Sequence, residues 1–390
     1  MDQKLLEIHN NGNFGVSAAT ISNGHISYQG ALGYSRIPFL PFFPKPKVTN
    51  ETRFQAASIS KPVTMFAVLR LVDQGLLDLD ADIDAYLAET GFELDYNKDL
   101  YKSKPKVTLR MLLSHTAGLT VHGFYGYSKN KPIPSIQQIL LGQKPANSDK
   151  VMIQYPQGEF KYSGGGKMFV NLGTTLVQYI METVTKKPFH QIMFEQVLKP
   201  SGMIHSTFET DLSNGPHLSN ANFNIYHPWM YFYGISPYAI HPEKAAAGLW
   251  TTATDLCLFG IQVMKAINHE YGALLSPILA DQIMKTYNSN VKETEMGLGF
   301  FRSSQDLTIS HGGGNSGYRC YLLLKPSINS GVCVMRNHER FGNELVQMLQ
   351  ELAGSVDVPV PSDMSVSALP SWMEIIQRYI EYFKYMIFGI

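Results

Sequence analysis

The sequence predicts an α/β protein of two lobes: a strand-bearing lobe assembled from both ends of the chain, and an all-helical lobe inserted between them. Three observations carry this. Residues 14 to 34 alternate apolar and polar about a turn at Ser22-Asn23-Gly24, as a β-hairpin does. Between 296 and 336, short apolar runs bounded by glycine and serine (GLGFFR, LTIS, YRCYLLLK, GVCVMRN) return to strand chemistry. The intervening chain has apolar residues at helical rather than alternating spacing.

The elements follow in order. After the hairpin, residues 37–49 (IPFLPFFPKPKVT) hold too much proline for a helix or inner strand and are expected to be a loop. Beyond Ser58, the spacing of Val63, Phe66, Ala67 and Leu71 predicts a buried amphipathic helix of about five turns, closed by Gly75. Further helices are expected at 107–115, 135–142, 167–185, 188–198 and 254–268, and a last one at 341–353. The expected organisation is a main domain over 1–354, with an α/β lobe from about 1–57 and 270–354 and a helical lobe over about 58–269. A linker and C-terminal amphipathic helix occupy 355–390.

Composition narrows the function classes. Lys plus Arg number 32 and Asp plus Glu number 32, so no net field favours a polyanion, and nucleic acid is not an expected partner. Cys257, Cys320 and Cys333 form no CxxC pair and read as buried apolar thiols. Histidines lack HExxH or HxH spacing, so neither a metal nor another cofactor is expected. Residues 1–20 contain no basic start followed by an apolar run; from the chain as given the expected compartment is the cytoplasm, or the periplasm or exterior if a leader has been removed.

Four SxxK tetrapeptides occur: Ser58 to Lys61, Ser103 to Lys106, Ser128 to Lys131 and Ser289 to Lys292. A serine activated by lysine needs both side chains on one face, which helical i, i+3 spacing provides. Pro105 interrupts the second pair, and the third and fourth fall in polar stretches. Only Ser58 opens a predicted helix, whose positive end favours an alkoxide and a neighbouring oxyanion. Pro62 fits a first turn, where its missing N–H is not needed. A helix-capping serine beside a solvated lysine is the competing reading of this pair alone.

Two more segments bear on that choice: GEFKYSG at 158–164, with Tyr162 in a loop before a helix, and HGGG at 311–314 between two predicted strands. The order SISK, YSG, HGG resembles the serine β-lactamase and penicillin-binding-protein superfamily, in its class C β-lactamase-like branch with esterase and D-peptidase relatives. LRLVDQGLLDLDADIDAYL, TLRMLLSHTAGL, AAAGLWTTATDL, GLGF and HGGGNSGY extend the resemblance from about residue 14 to 353. It implies an antiparallel sheet flanked by helices, and a covalent acyl-enzyme.

By resemblance, Ser58 is the nucleophile, and Lys61 and Tyr162 move the protons. The backbone N–H groups of Ser58 and Gly314 face the oxyanion, and Gly312 and Gly313 let the strand approach the substrate. His311 stands where β-lactamases carry the lysine of KTG, which holds a substrate carboxylate. Gly164 stands where the tyrosine motif usually ends in Asn, the residue that holds the acylamino group of a β-lactam or peptide. Both departures favour a small carboxylic ester as substrate. D-amino-acid peptidase or weak β-lactamase activity is the alternative within the same chemistry, and a non-catalytic penicillin-binding or scaffolding module is the alternative from another class.

His115 in LLSHTAGL reads as a structural histidine at a helix end. The aromatic run 226–238 is expected to border the cleft or join the core. Trp372, Ile375, Ile376, Tyr379, Ile380, Phe383, Ile387 and Ile390 form a helical stripe too short and too charged to span a bilayer. Packing on the protein's own body, a membrane-surface contact and a dimer contact through 372–390 are its three readings.

Overall fold

The computed structural model describes residues 2–9, 14–35, 45–121, 126–158, 172–210, 212, 218–219, 238–287, 295–338 and 343–361. Helix α1 (Asp2–His9) precedes the hairpin β1 (Val16–Ser22) and β2 (His25–Leu32). Short β3 (Phe54–Gln55) leads to a 3₁₀ turn (Ala57–Ile59) that runs directly into α2 (Ser60–Asp73). The helical region continues with α3 (Asp84–Leu87), β4 (Asp95–Tyr96), α4 (Leu109–Leu113), α5 (Ile136–Leu140), β5 (Met152–Ile153), α6 (Leu172–Thr185) and α7 (Phe189–Met193), which passes into a π turn at Phe194–Leu198. Then come α8 (Lys244–Ala247), β6 (Trp250–Thr251), α9 (Ala253–Ile267) and α10 (Pro277–Met284). The strands β7 (Glu295–Met296), β8 (Phe301–Arg302), β9 (Ile309–Asn315), β10 (Tyr318–Lys325) and β11 (Ser330–Arg336) precede α11 (Asn343–Gly354).

A seven-stranded sheet of order β2-β1-β11-β10-β9-β8-β7 joins the two ends of the chain, with every neighbouring pair antiparallel. Period-two alternation sends its side chains to two separate cores. Ala19, Ile21, Cys333 and Met335 face the larger core, which holds α2, α6 and α9, whereas Val16, Ala18, Val332 and Val334 meet Leu5, Leu345 and Leu349 from α1 and α11. The strands β1 and β11 are therefore apolar on both faces, while the edge strand β2 alternates exposed and half-buried residues.

The helix expected after Ser58 differs in two respects. It is about four turns of α-helix, because Ser58 itself lies in the preceding 3₁₀ turn. It is also buried nearly all round rather than amphipathic, since α8, the π turn at Phe194–Leu198, α6 and α7 pack around it. Its end is a Schellman motif: Gly75 has φ 72°, Leu76 N–H bonds the Leu71 carbonyl and Gly75 N–H bonds that of Val72.

The HGGG segment was expected between strands, and it lies within β9 instead. Glycine's poor strand propensity suggests a break, but packing requires it here: a Cβ on Gly313 would sit 2.2 Å from the Ala56 carbonyl oxygen. Helices α1, α3, α8 and α10 were not anticipated; all four are eight residues or shorter, α3, α8 and α10 have no side-chain N-cap bond, and α8 is an alanine turn with little periodicity to read. Among the described residues no helix is long and apolar enough to cross a membrane.

Candidate active site

The 3₁₀ turn sets Ser58 and Lys61 three residues apart on one face, and Lys61 Nζ lies 2.6 Å from Ser58 Oγ. The backbone just before them is unusual. Ala57 has φ 47°, a left-handed conformation costly for a residue with a Cβ. Surrounding contacts hold it there: Ala56 N–H donates to Leu249 O (2.9 Å), and the Cys320 thiol donates to Ala56 O (2.9 Å).

A second chain segment, 242–251, runs across the start of α2 and binds it repeatedly. Lys61 Nζ donates to Ala246 O (3.3 Å), Thr64 Oγ1 to Ala245 O (3.1 Å), and Leu249 N–H to Ser60 Oγ (3.0 Å). From the opposite side, Gln178 of α6 bonds both Pro242 O (3.3 Å) and Ala245 N–H (3.0 Å). The segment is also tied to β9, where Asn315 Nδ2 donates to Ala247 O (3.2 Å) and to Gln55 Oε1 (2.6 Å).

The electrostatic consequence falls on Lys61. Its residue is 4% exposed, and its hydrogen-bond partners among the described residues, a hydroxyl and a carbonyl, are neutral. Burial with no counter-ion among the described residues pushes its pKa down to about 7. Glu243 is not that counter-ion: burial drives its own carboxyl up to about 8, so it is mostly uncharged at neutral pH.

Strand β9 forms the facing wall. Its outer neighbour β8 pairs with Ile309 and Ser310; among the described residues β9 from His311 onward has no strand on that side, and the turn carrying Ser58 packs against β9. Gly313 lies against Ala56 and Cys320, whereas Gly312 and Gly314 face Tyr321 and Arg319. His311 Nδ1 bonds the Gly312 carbonyl (2.7 Å), and Phe301 lies over the ring at 5.3 Å between centroids. Burial lowers the His311 pKa to about 3, aided by the Lys61 and His115 charges and opposed by the Gly312 bond.

The structure thus brings together Ser58, Lys61, His311 and the glycines 312–314. Tyr162 and Gly164 lie outside the described residues, as do most of the aromatic run 226–238 and the stripe 372–390. Tyr238 is described; it is buried edge-on against Trp250 (5.0 Å between centroids). Of the rival tetrapeptides, Ser103 is in irregular chain, Ser128 begins a tight turn, and Ser289 is outside the described residues. The three cysteines are free and buried. Among the described residues no group of three His, Cys, Asp or Glu side chains is placed to hold a metal ion.

Sequence reasoning passed over two features and read a third, His115, as structural. The Ala246 carbonyl lay in a segment noted only for its resemblance. Asn315 ends β9 as a buried amide, signalled by an Asn that follows three glycines. His115 sits left-handed (φ 57°) at the end of α4, buried and within electrostatic reach of His311.

Comparison with known proteins agrees with this architecture. The family model described as Beta-lactamase matches residues 4–353. The chain therefore belongs to that family, within the serine β-lactamase and penicillin-binding-protein superfamily. Among curated proteins it is 23% identical over 334 residues to Protein flp of Staphylococcus aureus (strain MRSA252), covering 83% of this chain and 59% of the relative's length. A solved octameric penicillin-binding protein homologue from Pyrococcus abyssi superposes with a TM-score of 0.67 at 19% identity, over 92% of this chain and 77% of that one. EstCE1, described as a hydrolase with promiscuous acyltransferase activity, gives 0.66 at 19% identity over 90% and 97%. At these identities the structural neighbours speak to fold alone.

Proposed function

We propose that the protein is a serine hydrolase that cleaves a small carboxylic ester, or an amide, through an acyl-enzyme on Ser58. The observation that carries this is the 2.6 Å contact between Ser58 Oγ and a buried lysine whose pKa falls to about 7. A lysine at its ordinary pKa near 10.4 would be protonated and useless as a base at neutral pH. Half-neutral at pH 7, Lys61 accepts the Ser58 proton as Oγ attacks the acyl carbon. The alcohol or amine then leaves, taking a proton from Lys61 through Tyr162. Water, deprotonated by the same pair, attacks the ester carbonyl, and Ser58 is restored as the acid departs.

Charge developing on the carbonyl oxygen would meet the backbone N–H groups of Ser58 and Gly314. Support comes from Gly313, whose lack of a side chain lets β9 lie against the turn carrying the serine. An esterase preference is supported by two departures read by resemblance: Gly164 in place of an amide-binding Asn, and a His311 held uncharged by burial where β-lactamases carry the lysine of KTG. The printed description of EstCE1 as a hydrolase fits the same reading. The alternative, D-amino-acid peptidase or weak β-lactamase activity, takes its support from the neighbour described as a penicillin-binding protein homologue.

The test is intact mass after exposure to a fluorophosphonate, which labels an activated serine whatever the substrate. One adduct is expected, mapped to Ser58 and lost in Ser58→Ala. An adduct on Ser103, Ser128 or Ser289 would refute the Ser58 assignment, and no adduct at all would revive the non-catalytic module.

A further inference from the structure

We propose that His311 is a hydrogen-bond acceptor that selects the substrate: its Nε2 receives a hydrogen from a hydroxyl, amide N–H or ammonium group, so the site favours donor-bearing esters and amides over carboxylate-bearing ones. The inference deepens the acyl-enzyme reading and rests on it. It begins with the tautomer. Nδ1 lies 2.7 Å from the Gly312 carbonyl oxygen, and a carbonyl has no hydrogen to give, so Nδ1 must carry one. A neutral imidazole has a single N–H, and that bond uses it. Nε2 is left with a bare lone pair.

The ring's surroundings keep it neutral. His311 is 5% exposed, and a second proton would be added beside the Lys61 and His115 side chains, both of which oppose it. A lysine at this place presents three donors and a full charge and suits an anion. This histidine presents one acceptor and no charge, and it suits a donor. A substrate carboxylate against Nε2 would set lone pair against lone pair.

Geometry puts that lone pair where it can matter. His311 is the first residue of β9 beyond the reach of β8, on the stretch packed against the turn carrying Ser58. Phe301 lies against the ring and Gly312 holds Nδ1, so the imidazole is fixed at two places and cannot turn to exchange its nitrogens without breaking both. Among the described residues no protein group occupies Nε2. An acceptor with no protein partner discriminates against substrates that cannot supply it a donor.

The experiment uses p-nitrophenyl esters of matched length whose acyl chain ends in a methyl, a hydroxyl or a carboxylate. A second series places the same three groups on the leaving alcohol, to show which side of the scissile bond faces His311. In one series the hydroxyl ester is expected to exceed the methyl ester in kcat/KM by roughly tenfold, with the carboxylate ester lowest. His311→Lys should invert the order, raising the carboxylate ester relative to the hydroxyl ester by roughly tenfold or more. Nitrogen NMR of the native ring should show Nδ1 protonated and Nε2 bare across about pH 5 to 8.

A native enzyme that prefers the carboxylate ester in either series, or a ring that carries its proton on Nε2, would overturn the proposal even if His311→Lys did not fold. Fluorophosphonate labelling of Ser58 in the same preparation separates the two claims. Labelling with the wrong substrate order sinks only the role of His311, whereas absence of labelling sinks the acyl-enzyme reading beneath it.

Discussion

Among the described residues one arginine and one lysine, Arg336 and Lys61, are buried, and their surroundings differ. Arg336, at the end of β11, is 1% exposed, yet its guanidinium lies over the Phe14 ring (4.5 Å to the centroid), donates to His338 Nδ1 (2.7 Å) and reaches the Glu344 carboxylate (3.5 Å). Burial lowers its pKa only to about 10, because Glu344 offsets part of the cost, and it stays charged. Lys61 has nearly the same burial, but among the described residues its partners are a hydroxyl and a carbonyl, and its pKa falls to about 7. The surroundings of Arg336 offset part of the cost of burying a charge, whereas those of Lys61 leave it uncompensated so that a proton can come and go.

Removing each group should expose the contrast. Lys61→Ala is expected to slow ester turnover by about 10² to 10⁴-fold with the fold retained, the range for loss of a general base. Near-normal rates would point to a different base, His115 first. The wall opposite should matter almost as much. Gly313→Ala forces a Cβ to within 2.2 Å of the Ala56 carbonyl, pushing β9 away from the serine turn, and a loss of about 10²-fold in kcat is expected. Circular dichroism should show the sheet intact.

Arg336→Ala should do the reverse. It should cost about 2 to 4 kcal/mol of stability, through lost packing on Phe14 and an unpaired Glu344, with turnover per folded molecule nearly unchanged. Urea denaturation read beside the ester assay checks both halves.

The smallest effect has the opposite sign. Lys61→Met keeps the bulk and removes the charge penalty, so it should stabilise the protein by about 1 to 3 kcal/mol below pH 7. The folded pKa of Lys61 lies below its unfolded value, so below about 7 both states hold the proton and the penalty is complete. From about 7 to 10 the unfolded chain binds more protons, and native stability rises with pH. The advantage of the methionine should therefore shrink across that window. A stability difference that ignores pH would show Lys61 to be less desolvated than its surroundings imply.

What the sequence could announce and what it could not divide along the same physical line. The hairpin, the C-terminal strands and the long helices α6 and α9 were readable because each repeats a burial pattern over many residues. Ser58 and Lys61 were readable because covalent spacing and a helix start constrain them locally. Motif resemblance, rather than periodicity, drew attention to His311 and the glycines after it, and Gly313 illustrates why: its reason for being glycine is the Ala56 carbonyl, 257 positions away in the chain. The Ala246 carbonyl, the Gln178 clamp and the Asn315 bonds are long-range contacts through ordinary residue types, and no local pattern encodes them. Neither does the tautomer of His311, which depends on the backbone direction of its neighbour.

The most direct test of the central claim is the pH dependence of the rate at which a fluorophosphonate labels Ser58. If Lys61, lowered by burial to about 7, is the base, the second-order labelling rate should rise with pH to a plateau with a midpoint near 7, and Lys61→Ala should abolish that rise. A rate that is flat through neutrality, that climbs only near pH 10 as an ordinary lysine would, or that keeps its midpoint in Lys61→Ala would contradict the account.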